Sequence, residues 1–198
     1  MTDSSRQKAV NAARELFILK GKDGVRMQEI ADHAGINKGL LHYYFKTKGA
    51  LFAEVFSSIA GGIYSDINDI LRSTASMDDK LSGIIDRYFE LLKNNPKLPS
   101  FVMFEVNKHP DMVSLMAGNI NLEETVTLLD EEFRANKVSS NREFALQVLF
   151  NIISLCIFPF MMQPLGSHLA ERMGFGWKEM MEHRKAFLKQ IIINSFKP

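Results

Sequence analysis

The sequence predicts an all-α protein: an N-terminal helical head with a helix-turn-helix, followed by a larger helical body. Three observations carry this expectation. Apolar residues recur at spacings of three and four along nearly the whole chain, and sustained apolar–polar alternation is absent. Residues 27–45 carry the pattern of two short helices crossing at a glycine turn. The chain has 198 residues, 46% apolar and 24% charged, which suits one large globular domain or a small one joined to a medium one. That composition excludes a disordered tail, a collagenous repeat and a coiled-coil rod. The expected division is a head over residues 1–48 and a body over residues 49–198.

Each element has a local reason. Ala9, Ala13, Leu16 and Phe17 form one face of a helix near residues 5–20, and Gly21 and Gly24 bracket the loop that ends it. Phe52, Val55, Phe56, Ile59, Ile63, Ile67 and Ile70 mark a long helix over 48–72. Leu81, Ile84, Ile85, Tyr88 and Leu92 mark the next, stopped at Asn94-Asn95-Pro96. Pro96, Pro99 and Pro110 frame a shorter segment from Phe101 to Lys108, and Ile120, Val126, Leu129 and Phe133 give a helix over 119–135. Ser139-Ser140-Asn141 is an N-cap cluster ahead of a strongly apolar helix reaching Met162. After the loop Met173-Gly174-Phe175-Gly176, the stripe Trp177, Met180, Met181, Phe187, Leu188, Ile191 and Ile192 marks the last helix. No internal repeat or low-complexity tract occurs. The run Val148–Met162 has 15 residues and includes Asn151, Ser154 and Pro159, whereas a membrane span needs about 20 apolar residues. It reads as a core or interface helix, with no membrane role.

Charge and chemistry narrow the function. Residues 1–50 hold nine Lys/Arg against five Asp/Glu, a balance of +4; the rest hold fifteen against eighteen, a balance of −3. A basic first quarter suits contact with a polyanion. The single cysteine, Cys156, excludes an internal disulfide and any zinc site built from several thiolates. The five histidines lack metal-ligand spacing, and no Ser-His-Asp pattern or phosphate loop occurs, so no enzyme, metal or cofactor is expected. The first residues, Met1-Thr2-Asp3-Ser4-Ser5-Arg6, do not read as a signal peptide, which leads to the expectation of a cytoplasmic protein.

Within residues 27–45, each residue type has a physical role. Ala31 is small enough to let a second helix cross closely. Gly35 can take the left-handed conformation that ends the first helix. Ile30, Ala34, Ile36, Leu41 and Tyr44 fall where the helices and turn face inward, and Asn37 can cap the second helix.

These residues resemble the TetR (tetracycline-repressor-like) transcriptional regulators. The resemblance rests on Ala13-x-x-Leu16-Phe17-x-x-x-Gly21, on Ile30-Ala31-x-x-Ala34-Gly35-Ile36-x-Lys38-Gly39-x-Leu41, and on Tyr44-Phe45-x-x-Lys48-x-x-Leu51. Beyond residue 56 only length and helical character match. Three departures stand out. Arg26 occupies the position where the family has a Thr or Ser cap. The second helix reads Gly39-Leu40-Leu41-His42 where Gly-Thr-Leu-Tyr is usual. Lys48-Gly49 replaces Lys-Glu at the start of the long helix, losing a capping-box carboxylate.

The resemblance implies a homodimer that grips double-stranded operator DNA with two heads, most often as a repressor that leaves the operator when a small effector binds. The second helix of the motif enters the major groove with its N-terminal residues at base edges. Lys38, Gly39, Leu40 and His42 are therefore the expected readers, with Gln28 reaching an adenine edge or a phosphate. Leu40 can pack on a thymine methyl. His42 stays open between base reader and solvated residue, and His33 is expected on the surface. Tyr43 and Lys48 are expected at the DNA backbone, and Tyr44 either there or in the core. The resemblance also implies that the two C-terminal helices of each subunit form a four-helix bundle at a two-fold axis. The middle helices should then enclose the effector. Candidate lining residues are Phe101, Met103, Phe104, Glu105, Met112, Met116, Phe133, Phe158 and Met161, each with core packing as the alternative. A body that meets a protein partner in place of a small molecule is the other functional reading.

Overall fold

The computed structural model describes residues 2–110 and 121–196. Among them are ten helices and no strand: α1 (Thr2–Lys20), α2 (Met27–Ala34), α3 (Lys38–Tyr44), α4 (Lys48–Arg72), α5 (Met77–Asn94), α6 (Leu98–Lys108), α7 (Leu122–Ala135), α8 (Arg142–Met161), α9 (Gln163–Arg172) and α10 (Trp177–Asn194). Nine of them stand where the apolar spacing predicts. The tenth, α9, follows α8 directly and has no counterpart among the helices expected from the sequence. Pro164 lies in the first helical turn, where its missing N–H costs nothing. Met112 and Met116 fall outside the described residues.

The chain forms two compact units. One comprises residues up to Gly62 with the described part of Ser100–Ile120; the other comprises Ile63–Pro99 and the chain from Asn121 onward. α4 is thus shared, and most of α6 packs with the helix-turn-helix.

In the first unit, Ala9, Ala13, Phe17, Ile30, Ala31, Leu41, Leu51 and Phe52 are sealed from solvent. The Phe52 ring takes Phe17 edge-on at 5.3 Å and Phe101 at 5.9 Å. Gly21, at φ +70°, closes α1, its N–H bonded to the Phe17 carbonyl at 2.8 Å. The next amide, of Lys22, donates to Oε1 of Glu105 on α6 at 2.8 Å. Lys108, one turn further along α6, pairs with Asp23 at 2.5 Å and holds that carboxyl below its ordinary 3.8.

The second unit is built on Leu81, Ile84, Ile85, Leu129, Phe133, Leu149 and Ile152. Two of its buried polar residues are paired across helices. Thr125 donates to Asn68 at 2.6 Å, and Lys80 on α5 pairs with Glu132 on α7 at 2.5 Å. α8 contains Pro159, which cannot donate to the Leu155 carbonyl four residues earlier. Arg184 of α10 supplies the missing donor, its Nη2 lying 3.0 Å from that oxygen. Cys156 is buried here, and desolvation pushes its thiol up to about 12.

The apolar run of α8 belongs to a helix of 20 residues, long and apolar enough to cross a membrane. Its length therefore does not separate it from a span, as the shorter sequence run suggested. Its packing gives it a core: Ala145, Val148, Leu149, Ile152 and Cys156 are buried in the second unit. The rest of its circumference exposes Phe150, Asn151, Ser154 and Phe158.

Candidate nucleic-acid interface

α2 and α3 are placed by their ends. Arg26, extended before α2, makes no side-chain cap, as its chemistry requires. Glu29 in the first turn of α2 favours the positive end of the helix and pairs with Lys20, which lowers its pKa from 4.5. Gly35 at φ +65° ends α2; its N–H reaches the Asp32 carbonyl at 3.2 Å and the Ile36 N–H reaches Ala31 at 3.0 Å. That pair of bonds is a Schellman motif. Asn37 then caps α3, its Oδ1 accepting from the Leu40 amide at 2.7 Å. A Cβ on Gly39 would stand 3.3 Å from that same oxygen, so the glycine leaves the cap undisturbed as well as keeping the helix surface low. Leu41 is fully buried and anchors α3 to the head.

With Leu41 inward, the opposite side of α3 presents Lys38, Gly39, His42 and Tyr43, all exposed, with Leu40 half-buried beside them. Tyr43 is 70% exposed. Tyr44 is half-buried and stacks edge-on with Tyr43 at 5.6 Å and with Phe45 at 6.3 Å. Gln28 is exposed on α2 and donates one amide hydrogen to Asp32 at 2.8 Å, which leaves its carbonyl oxygen and second hydrogen for another partner. His33 is exposed and pairs with Glu15 at 2.8 Å.

Lys48 is half-buried, its Nζ donating to the Val25 carbonyl at 3.0 Å and so bracing the loop before α2. An ammonium has three hydrogens, so two remain for other acceptors. Sequence reasoning passed over Lys46. It is exposed, makes no ion pair among the described residues, and holds its Nζ 5.7 Å from the centre of the Tyr43 ring. Its signal was its place two residues past the second helix, on the Tyr43 side. Thr47 was also overlooked: its Oγ1 accepts from the Ala50 amide at 3.1 Å, capping α4 without a capping-box carboxylate.

The expected effector-lining residues that are described do not gather in either unit. Phe101 is buried against Phe52, and the Glu105 side chain, 2% exposed, is an acceptor for the loop after α1. Phe104 is 59% exposed with Lys108 over its ring. Met103, expected beside it, is exposed too. Phe133 is sealed among Phe144 and Phe196, at 5.6 and 4.9 Å, and is core. Phe158 and Met161 share the outward stripe of α8 with Phe150 because residues three, eight and eleven apart return to one side of a helix. Glu105 was read as a polar group in an apolar segment; the backbone amide it satisfies lies 83 residues away and leaves no local trace in the sequence.

Residues 9–55 match the family model for bacterial regulatory proteins of the tetR family. The transcriptional activator FasR of Mycolicibacterium smegmatis is 28% identical over 47% of this chain and 42% of its own. The transcriptional repressor KstR2 of the same organism is 29% identical over 46% and 44%. The chain thus spans about half the length of the curated relatives it matches. The solved structure of the transcriptional regulator FadR from Bacillus subtilis in complex with stearoyl-CoA has the same fold, with a TM-score of 0.63, 15% identity and coverage of 92% of this chain and 96% of that one. The α2–α3 geometry and the matched head agree: residues 9–55 are similar to the DNA-binding head of the tetR family, and the chain shares the all-helical fold of solved regulators that carry such a head.

Proposed function

We propose that the chain is a cytoplasmic transcriptional repressor that binds a palindromic operator as a homodimer and is released by a small apolar or amphipathic effector. The observation that carries the DNA reading is the exposed side of α3, where Lys38, Gly39, His42 and Tyr43 stand clear with Lys46 beside them. Lys38, Leu40, His42 and Gln28 are the readers; Tyr43, Lys46 and Lys48 hold phosphates. The dimer reading is supported by the apolar surface of the C-terminal helices: Phe150 and Phe158 on α8, Leu165 and Leu169 on α9, and Phe187 and Ile191 on α10 are all 44% or more exposed. Two-fold pairing of these helices would cover them. The effector reading is supported by the FadR structure, whose ligand is stearoyl-CoA. FasR is an activator and KstR2 a repressor, so the fold is compatible with either sign.

Selection of the purified protein on random duplexes, followed by anisotropy on the enriched sequence, tests this. The expected product is an inverted repeat whose half-sites lie about one helical turn apart, or a multiple of it. Enrichment of no sequence, or of a single unrepeated site, would refute it. A repressor should lower transcription from a promoter carrying that site; a rise would reverse the sign alone.

A further inference from the structure

A groove of about 580 Å³ lies in the second unit between α5, the α8–α9 junction and the start of α10. Phe89, Phe160, Trp177 and Met181 give it an apolar lining. The indole is seated against Gly166 of α9: a Cβ there would lie 2.6 Å from the ring, so the glycine makes the room that Trp177 occupies. Among the described residues, none of the effector-lining candidates expected from the sequence belongs to this groove.

Its rim is charged, and most of that charge is already paired. Asp86 takes Lys189 at 2.6 Å and Lys185 at 3.6 Å, and Glu182 takes Lys93 at 3.0 Å. Glu90 lies 4.0 Å from Arg87. The carboxylates are thus engaged, whereas Lys178, on the lining of the groove, makes no ion pair among the described residues. The Glu182 carboxyl is held below its ordinary 4.5, first by the Lys93 hydrogen bond and also by the charges of Lys185 and Lys178. An apolar bed with a cation left at its edge suits one ligand chemistry: an apolar body to displace water from the aromatic rings, and a single anionic group for the ammonium.

We propose that this groove binds an amphipathic molecule with one anionic head group, its apolar body on Trp177, Phe160 and Met181 and its head group at Lys178. On α10 the groove and the proposed dimer surface lie on different sides. At about 100° per residue, Phe187 and Ile191 project from α10 roughly half a turn away from Lys178. The site rests on the effector reading only for the biological role of its ligand; binding itself is read without DNA.

Trp177 is the sole tryptophan of the chain, so its emission reports this groove alone. The protein is titrated with sodium dodecanoate below its micelle concentration, and with dodecan-1-ol, which keeps the chain and removes the charge. Dodecanoate should give a saturable change in emission, and dodecan-1-ol should bind about tenfold more weakly, equal to about 1.4 kcal/mol. Lys178→Glu should weaken dodecanoate by at least that factor and leave dodecan-1-ol unchanged, with circular dichroism matching the parent; Lys178→Gln replaces it if the fold is disturbed. A linear, non-saturating response, equal affinities for the two molecules, or parent-like dodecanoate binding by the Lys178 variant overturns the proposal. Failure to find an operator would count against the DNA reading and leave these titrations as they are.

Discussion

Gly35 turns the corner between the two helices of the motif at φ +65°, with nothing within 4 Å of where a Cβ would stand. An alanine there meets no clash and is disfavoured by backbone conformation alone. Gly35→Ala should therefore lower stability by roughly 1–2 kcal/mol, and Gly35→Asn by less, since asparagine visits the left-handed region more readily. Urea unfolding of the two variants decides this; equal losses would point to packing instead. Asp23 offers a second residue-level test. Its pKa lies below 3.8, chiefly through the Lys108 hydrogen bond. A depressed carboxyl stabilises the fold fully above its unfolded value and loses that contribution as pH falls through the depressed one. In Lys108→Ala, NMR titration should show the Asp23 carboxyl moving back up towards 3.8.

α8 shows how one helix borrows from another. Proline inside a helix costs about 3 kcal/mol, partly because a carbonyl loses its donor. Here the Arg184 guanidinium restores that donor at 3.0 Å. Arg184→Ala should destabilise the protein by about 1–3 kcal/mol, the scale of a hydrogen bond to a charged group. In a Pro159→Ala background the residue 159 amide can bond Leu155, so the same change should cost less. A double-mutant cycle on denaturant midpoints reads the coupling; additive effects would mean that Arg184 acts through other contacts. The contrast between α4 and α9 shows what sequence can disclose. α4 was legible to its ends because its apolar residues hold helical register from Phe52 to Ile70. α9 was not, because Gly166 is explained only by the Trp177 ring from another helix, and tertiary contact overrides local propensity there. The same division runs through the candidate site. Gly35 and Asn37 act through neighbours in sequence and were readable. The Lys48–Val25 and Glu105–Lys22 contacts join distant residues and were not.

At the scale of the whole molecule, two measurements bear on assembly and grip. The chain mass is 22.5 kDa, and sedimentation at micromolar concentration should give about twice that. Phe187→Glu, placing a charge on the exposed side of α10, should move the equilibrium towards monomer; a parent chain that sediments as a monomer ends the dimer reading. For DNA, each lost phosphate contact removes about 0.9 from the slope of log affinity against log salt. Lys46→Ala should flatten the slope by about that amount per head and leave stability unchanged. Lys48→Ala should flatten the slope and also lower stability, because the Val25 carbonyl loses its donor. An unchanged slope in both variants contradicts the phosphate assignment. Effector release adds a thermodynamic condition: a hundredfold loss of operator affinity requires about 2.7 kcal/mol of coupling, and the operator must weaken effector binding by the same factor.

The Lys22 amide hydrogen is held by a carboxylate from a helix 83 residues further along the chain. That one proton is a gauge of whether α6 is seated. While Glu105 accepts it, exchange with heavy water must wait for the carboxylate to depart; neighbouring amides bonded within α1 need no such event. Peptide-level deuterium uptake across Gly21–Asp23 would then count how often α6 lifts from the head. Glu105→Ala should bring that segment to the uptake of an open loop while α2 and α3 keep their protection, so a single short peptide can follow the seating of α6 in solution without DNA, effector or label.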